Sequence, residues 1–188
     1  MTKILKKGEG YQILYKERGE DSEKIAPDGL SVLSRLDVPV PGIIAAADSG
    51  KRIRVISKKY YLVCQGRFDE SRGIMEDLLF HDSRSNRTFP VKRMRKGVKE
   101  AKLSYEVISY DEAKDLSFVS AVLDTGRTHQ IRTQFASRKH PLAGDGKYGS
   151  RIKCPIALMC GELTFDEGEG TKPSTVSVDP KEEFKDVL

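Results

Sequence analysis

With 188 residues, 38% of them hydrophobic, the chain can close one core and falls in the single-domain range of about 100–200 residues. Its 33 lysines and arginines against 28 aspartates and glutamates leave a net charge of +5, a mild excess that suits a polyanion such as RNA without requiring one. Cys64, Cys154 and Cys160 form no disulfide framework or Cys-x-x-Cys pair, MTKILKKGEG lacks the apolar core of a signal peptide, and no run approaches the roughly 20 apolar residues of a membrane span; a soluble, cytoplasmic, monomeric protein is expected.

Residues 1–29 read as a short, polar, Gly-punctuated segment in which 11–15 (YQILY) is one strand and 18–29 is loop. Apolar density then rises. Residues 42–47 (GIIAAA) and 59–64 (KYYLVC) read as strands, the second rich in aromatic and β-branched side chains. MEDLLF, KLSYEVISY and LSFVSAVLDTG follow, the last two alternating as strands do. At 128–137 (THQIRTQFAS) the period changes: Ile131, Phe135 and Ala136 recur at helical spacing, with Thr128 as the expected cap. A Gly-rich loop, HPLAGDGKYGS, leads to a strand at 156–165, and the tail (168–184) reads as mostly irregular. Many strands and few helices predict one α+β domain over residues 1–188, built on a mixed, mainly antiparallel sheet.

Three segments carry chemistry. Residues 123–149 (LDTGRTHQIRTQFASRKHPLAGDGKYG) place Arg127, Thr128, His129, Gln130 and Arg132 around a helix start, where donors and the helix dipole favour an anion. Residues 33–42 (LSRLDVPVPG) hold Asp37 beside Arg35; residues 58–66 (KKYYLVCQG) hold Tyr60 and Tyr61 on a strand. Taken alone, each has a plain structural explanation: a solvated helix start, a common tripeptide, two alternating strand residues.

Together and in this order they resemble the RluA-type family of RNA pseudouridine synthases, over residues 30–184. The TGRTHQIR…HP…GD..YG run, the Arg35-Leu36-Asp37…Gly42 loop and the Lys-x-Tyr strand all match that family's motifs. The resemblance implies a catalytic fold with flanking helices around an active-site cleft, acting on ribosomal or transfer RNA without metal or organic cofactor. It implies that Asp37 attacks the uridine, at the base or at ribose C1′, so that the uracil detaches, rotates and is rejoined through carbon. A nucleophilic aspartate must be ionised, and Arg132 is the cation the family places beside it, one helical turn further in than the alternative, Arg127. Tyr60 falls at the family's tyrosine, where it would stack on the uracil and assist loss of the C5 proton; Tyr61 is read as an ordinary strand residue. Arg35 matches the arginine used when the base flips out of its helix, a step the chemistry requires. Arg127 and His129 are expected to contact RNA, as are Lys92, Arg93 and Arg95 in the basic run KRMRKGVKEAK.

Departures are also visible. Ser34 replaces the family's histidine, Val-Pro replaces the Thr-Ser before Gly42, the stretch before Tyr60 is shorter by about a helix, and neither the N-K-P-x-G strand nor an S4-like domain is recognised. A catalytically degenerate RNA-binding protein that keeps the fold is therefore the alternative, with retention of Asp37, Tyr60 and Arg132 arguing for the enzyme. His129, His140, Cys154 and Cys160 match no metal-ligand spacing, and GELTFDEGEG lacks the Lys and Ser/Thr of a phosphate loop and reads as a turn.

Overall fold

The computed structural model describes residues 2–50, 53–168 and 172–188. By backbone contacts these fall into two compact units: residues up to Tyr60 with Met159–Pro180, and Tyr61–Leu158 with Lys181–Leu188.

In the first unit, β1 (Lys3–Gly8) and β2 (Tyr11–Lys16) form an antiparallel hairpin, and β2 pairs antiparallel with β4 (Gly42–Ala47). The short β3 (Ser31–Val32) also pairs with β4. β4 meets β10 (Leu158–Asp166) in parallel through the Gly42–Cys160 bridge, and β11 (Ser174–Ser177) closes antiparallel on β10. Every residue of GIIAAA is buried, as a strand covered on both faces requires. Tyr11, Ile13, Ile43, Ala45, Ala47, Leu163 and Phe165 form its core, with Leu5, Val176 and Val178 packed around them.

The second unit is built on an antiparallel run in the order β9 (Leu116–Leu123), β8 (Val98–Asp111), β6 (Arg72–Asp82), β7 (Arg87–Val91). Helix α1 (Gln130–Ser137) packs against β6 and β7. Gln134 pins it by donating from Nε2 to the Met75 carbonyl at 3.1 Å and to Asp77 Oδ2 at 2.7 Å. A single 3-10 turn, Gly146–Tyr148, follows. The long strand β5 (Arg54–Gln65) belongs to the first unit through Tyr60 and to the second from Tyr61. Helix α2 (Pro180–Phe184) ends on Phe184, whose ring lies edge-on to Phe118 at 6.0 Å.

The α+β class and the mixed, mainly antiparallel pairing agree with the sequence reading. Four local expectations are corrected. β1 was unseen because KILKKG carries three lysines and too few apolar positions to mark a strand; it lies against β2 with those lysines outward or half-buried. Among the described residues of the tail, 174–177 form β11 and 180–184 form α2 where irregular chain was expected. The segment GELTFDEGEG is strand as far as Asp166, and its residues 169 and 170 lie outside the described ones. Finally, the cap of α1 is His129 in the left-handed region (φ 53°), not Thr128. Gln130 compensates: its Oε1 accepts from the Arg127 amide at 3.0 Å and from Thr125 Oγ1 at 2.8 Å.

Candidate active site

Asp37 sits in the first unit, half-buried, on the connection into β4. Two prolines within that loop supply no N–H donors, so its geometry must be fixed through its carbonyls. It is. The Leu36 carbonyl accepts from Ser22 Oγ, and the Leu36 amide donates back to the same oxygen. The Asp37 carbonyl accepts from the Val40 amide, the Val38 carbonyl from the Gly19 amide, and the Pro41 carbonyl from the Cys160 amide. Arg18 Nη1 donates to the Pro39 carbonyl at 2.7 Å.

The clamp centres on Lys16, at the end of β2 and wholly buried. Its ammonium donates to the carbonyls of Val40 at 2.9 Å, Val38 at 3.1 Å and Glu17 at 3.2 Å. Burial lowers its pKa, and the nearby carboxylates of Glu20 and Asp37 partly restore it. Ser34 fastens the other end, its Oγ accepting from the Ala45 amide at 3.2 Å. Gly42 (φ 132°) could not be replaced: a Cβ there would lie 2.3 Å from the Cys160 carbonyl oxygen and 2.6 Å from its nitrogen.

Tyr60 is buried (5% exposed) in the same unit. Burial raises its phenol well above the usual range, and Cys160 and Asp37 beside it add to the effect, so the ring stays neutral. Lys58 stands two residues earlier, on the same face of β5, with Nζ 5.5 Å from the Tyr60 ring centroid. Burial lowers the Lys58 pKa, while Cys160 and Asp37 pull it back upward. Cys160 itself is buried with its thiol pushed up to about 11 by desolvation. Tyr61 belongs to the second unit and stacks on Phe118 at 6.0 Å.

The second unit holds Arg132, on α1 and 6% exposed. Its Nε and Nη2 donate to Asp145 Oδ2 and Oδ1 at 2.7 and 2.8 Å, a bidentate pair with both partners buried. Next to Asp145, Gly144 (φ 77°) packs directly on the backbone of residues 154–155, because a Cβ there would fall 2.4 Å from the carbonyl oxygens of Cys154 and Pro155. The guanidinium also lies 5.1 Å from the Tyr148 ring centroid. Tyr148 Oη accepts from the Thr88 amide at 2.8 Å and shares a 2.9 Å hydrogen bond with His129 Nδ1.

The structure thus gathers Asp37 and Tyr60 in one unit and Arg132 and His129 in the other. Arg35 is exposed, its Nε 3.9 Å from Glu23. Arg127 donates through Nε to the Glu100 carbonyl at 2.9 Å. Lys92, Arg93 and Arg95 are exposed on the β7–β8 connection, whereas His129 is buried. Sequence reasoning missed Lys16, Lys58, Asp145 and Tyr148. The last three stand inside the matched motifs and could have been given roles there; Lys16 had no signal beyond closing a short strand. No helix among the described residues is long and apolar enough to cross a membrane.

The α+β fold holds an anchored aspartate loop in the same unit as a buried tyrosine and a lysine, and comparison with known proteins says which family shares it. The structure is similar to human RNA pseudouridylate synthase domain containing 1 (TM-score 0.77, 18% identity, covering 95% of this chain and 83% of that one). It is also similar to human RNA pseudouridylate synthase domain containing 4 (TM-score 0.73, 16% identity, 94% and 87%). Residues 11–137 match the RNA pseudouridylate synthase family model. The chain belongs to that family, in its RluA-type branch. Among curated relatives, an uncharacterized RNA pseudouridine synthase of Bacillus subtilis is 30% identical over 63% of this chain and 41% of its own length. Ribosomal large subunit pseudouridine synthase D of Borreliella burgdorferi is 26% identical over 86% of this chain and 51% of its own. The counterpart from Blochmanniella floridana is 31% identical over 70% and 43%. The chain therefore spans about half the length of these relatives, or less.

Proposed function

We propose that this chain is an RNA pseudouridine synthase that isomerises uridine in structured RNA, with residues 1–188 serving as one catalytic domain, monomeric and cytoplasmic, without metal or organic cofactor. Asp37 is the nucleophile, forming a bond to the nucleoside while the glycosidic bond breaks. The freed uracil turns and rejoins through C5, the C5 proton leaves, and Asp37 is released, so the product is an isomer of the substrate. Tyr60, neutral by burial, acts as a stacking surface and through its hydroxyl rather than as a phenolate. Arg132, oriented by Asp145, is assigned to the same reaction as the cation that favours an ionised nucleophile. Arg35 takes the place of the flipped base, and Arg127, His129, Lys92, Arg93 and Arg95 serve RNA binding.

The observation that carries this reading is the Asp37 loop, in which each carbonyl from Leu36 to Pro41 is hydrogen-bonded. Such fixing is what a positioned nucleophile needs, since small displacements of reacting atoms cost rate steeply. The relatives named for the large ribosomal subunit make its RNA the first substrate to test. Tritium release from RNA labelled at uridine C5 measures the reaction directly. The wild-type chain should release tritium, and Asp37→Asn should release none above background while binding RNA as before. Release by Asp37→Asn would remove Asp37 from its role; RNA binding without release by the wild type would favour the degenerate RNA-binding reading.

A further inference from the structure

Strand β7 is the edge of the second unit's antiparallel run, and the face it shares with β6 and β8, opposite α1, carries the exposed side chains of Ile74, Glu76 and Phe89. Phe89 on β7, Phe80 on β6 and Val98 on β8 stand directly opposite one another and make one apolar row across that face. Phe89 is 40% exposed and Phe80 half-buried. Each ring carries an arginine: Arg87 lies 5.5 Å from the Phe89 centroid and Arg95 lies 5.1 Å from that of Phe80. Residues 87–96 (RTFPVKRMRK) contain five cations and no acid. The acidic groups nearest this face are engaged or displaced. Glu76 pairs with Lys102 at 2.8 Å, Asp82 accepts from the Arg84 amide and Ser85 Oγ, and Glu100 lies one row away, opposite Leu78.

We infer that this surface is a stacking platform for unpaired RNA nucleotides, with Phe89 and Phe80 receiving bases while Arg87, Lys92, Arg93 and Arg95 hold the flanking phosphates. The inference rests on the RNA-acting function proposed above and adds a second RNA contact, on β6–β7 and away from the loop of Asp37 in sequence. Charge decides the partner's sign, and the exposed Phe89 ring with Phe80 beside it decides its form, because a duplex offers phosphates but keeps its base faces covered. A second copy of this chain adding a strand to β7 is disfavoured by Pro90, which removes a donor from that edge.

The absence of tryptophan from the chain makes the test clean, since Phe89→Trp introduces a single reporter. Its fluorescence should be quenched on titration with a single-stranded oligoribonucleotide and not by inorganic polyphosphate, which has charge but no bases. Phe89→Ala should weaken single-strand binding about tenfold and leave polyphosphate binding unchanged. Unaltered RNA affinity in Phe89→Ala, or equal loss for both polyanions, would overturn the platform. Binding requires no turnover, so the two readings fail separately: tritium release with no effect of Phe89→Ala sinks only the platform. Quenching without tritium release from any RNA sinks only the enzyme.

Discussion

Lys16 is a charged group placed where charge is expensive, and its three carbonyl partners explain why it is kept. Lys16→Met fills a similar volume but leaves the Val40 carbonyl without its donor, which costs about 1–3 kcal/mol for an unsatisfied buried group. Turnover should fall further than stability does, because the loop that loosens is the one bearing Asp37. Urea unfolding alongside single-turnover rates separates the two effects, and an unchanged rate in a destabilised variant would reduce Lys16 to a structural role. Lys58 has a different signature, read through pH. Its pKa is lowered by burial, so as pH rises it loses its proton earlier than an ordinary lysine. If its positive charge supports Asp37, activity must decline on the alkaline side through that depressed pKa. Lys58→Arg should carry the decline to higher pH, since arginine stays protonated, and Lys58→Met should lower the rate about tenfold or more. A profile for Lys58→Arg that superimposes on the wild type would assign the alkaline limb elsewhere.

At the level of elements, α1 shows what the sequence disclosed and what it withheld. Ile131 and Phe135 announced a helix by their spacing, and the helix exists. Its cap lies one residue later than expected because His129 adopts a left-handed conformation and Gln130, not Thr128, satisfies the preceding amide. Caps built by side chains that reach backward leave no period to read. β4 was legible because full burial writes a continuous apolar run, whereas β1 and β11 were not, since their residues are exposed or half-buried throughout. Asp37, Tyr60 and Arg132 could be singled out from the order of the motifs, but the pairing of Arg132 with Asp145, 13 residues further on, left no period to read. That pair predicts a large penalty. Asp145→Asn leaves a buried guanidinium without its counter-charge and should cost about 3–5 kcal/mol, the range for breaking a buried ion pair. Thermal unfolding measures it, and a loss below about 1 kcal/mol would mean that solvent or another anion compensates. Tyr61→Phe, a ring stacked on Phe118, should be nearly silent in the same assay.

Across the whole molecule the charge is modest, +5 over 188 residues, so net attraction to RNA cannot come from bulk charge alone. It must come from where cations concentrate, and residues 87–96 carry five of them on a largely exposed stretch. Each phosphate neutralised by a lysine or arginine releases a condensed counterion, so log affinity falls linearly with log salt at a slope set by the number of contacts. Neutralising Lys92, Arg93 and Arg95 together should flatten that slope by about 2 to 3 if all three meet phosphates, at about 0.7–0.9 per contact. These residues lie on the β7–β8 connection, remote in sequence from Asp37 and Tyr60, so the chemical step should be untouched once RNA saturates the enzyme. The expected pattern is therefore a shallower salt dependence of binding with a wild-type single-turnover rate at saturating RNA. A triple variant with the wild-type slope would show that the run is ordinary solvated surface, and one with a slow chemical step would show that these cations act on the reacting uridine itself.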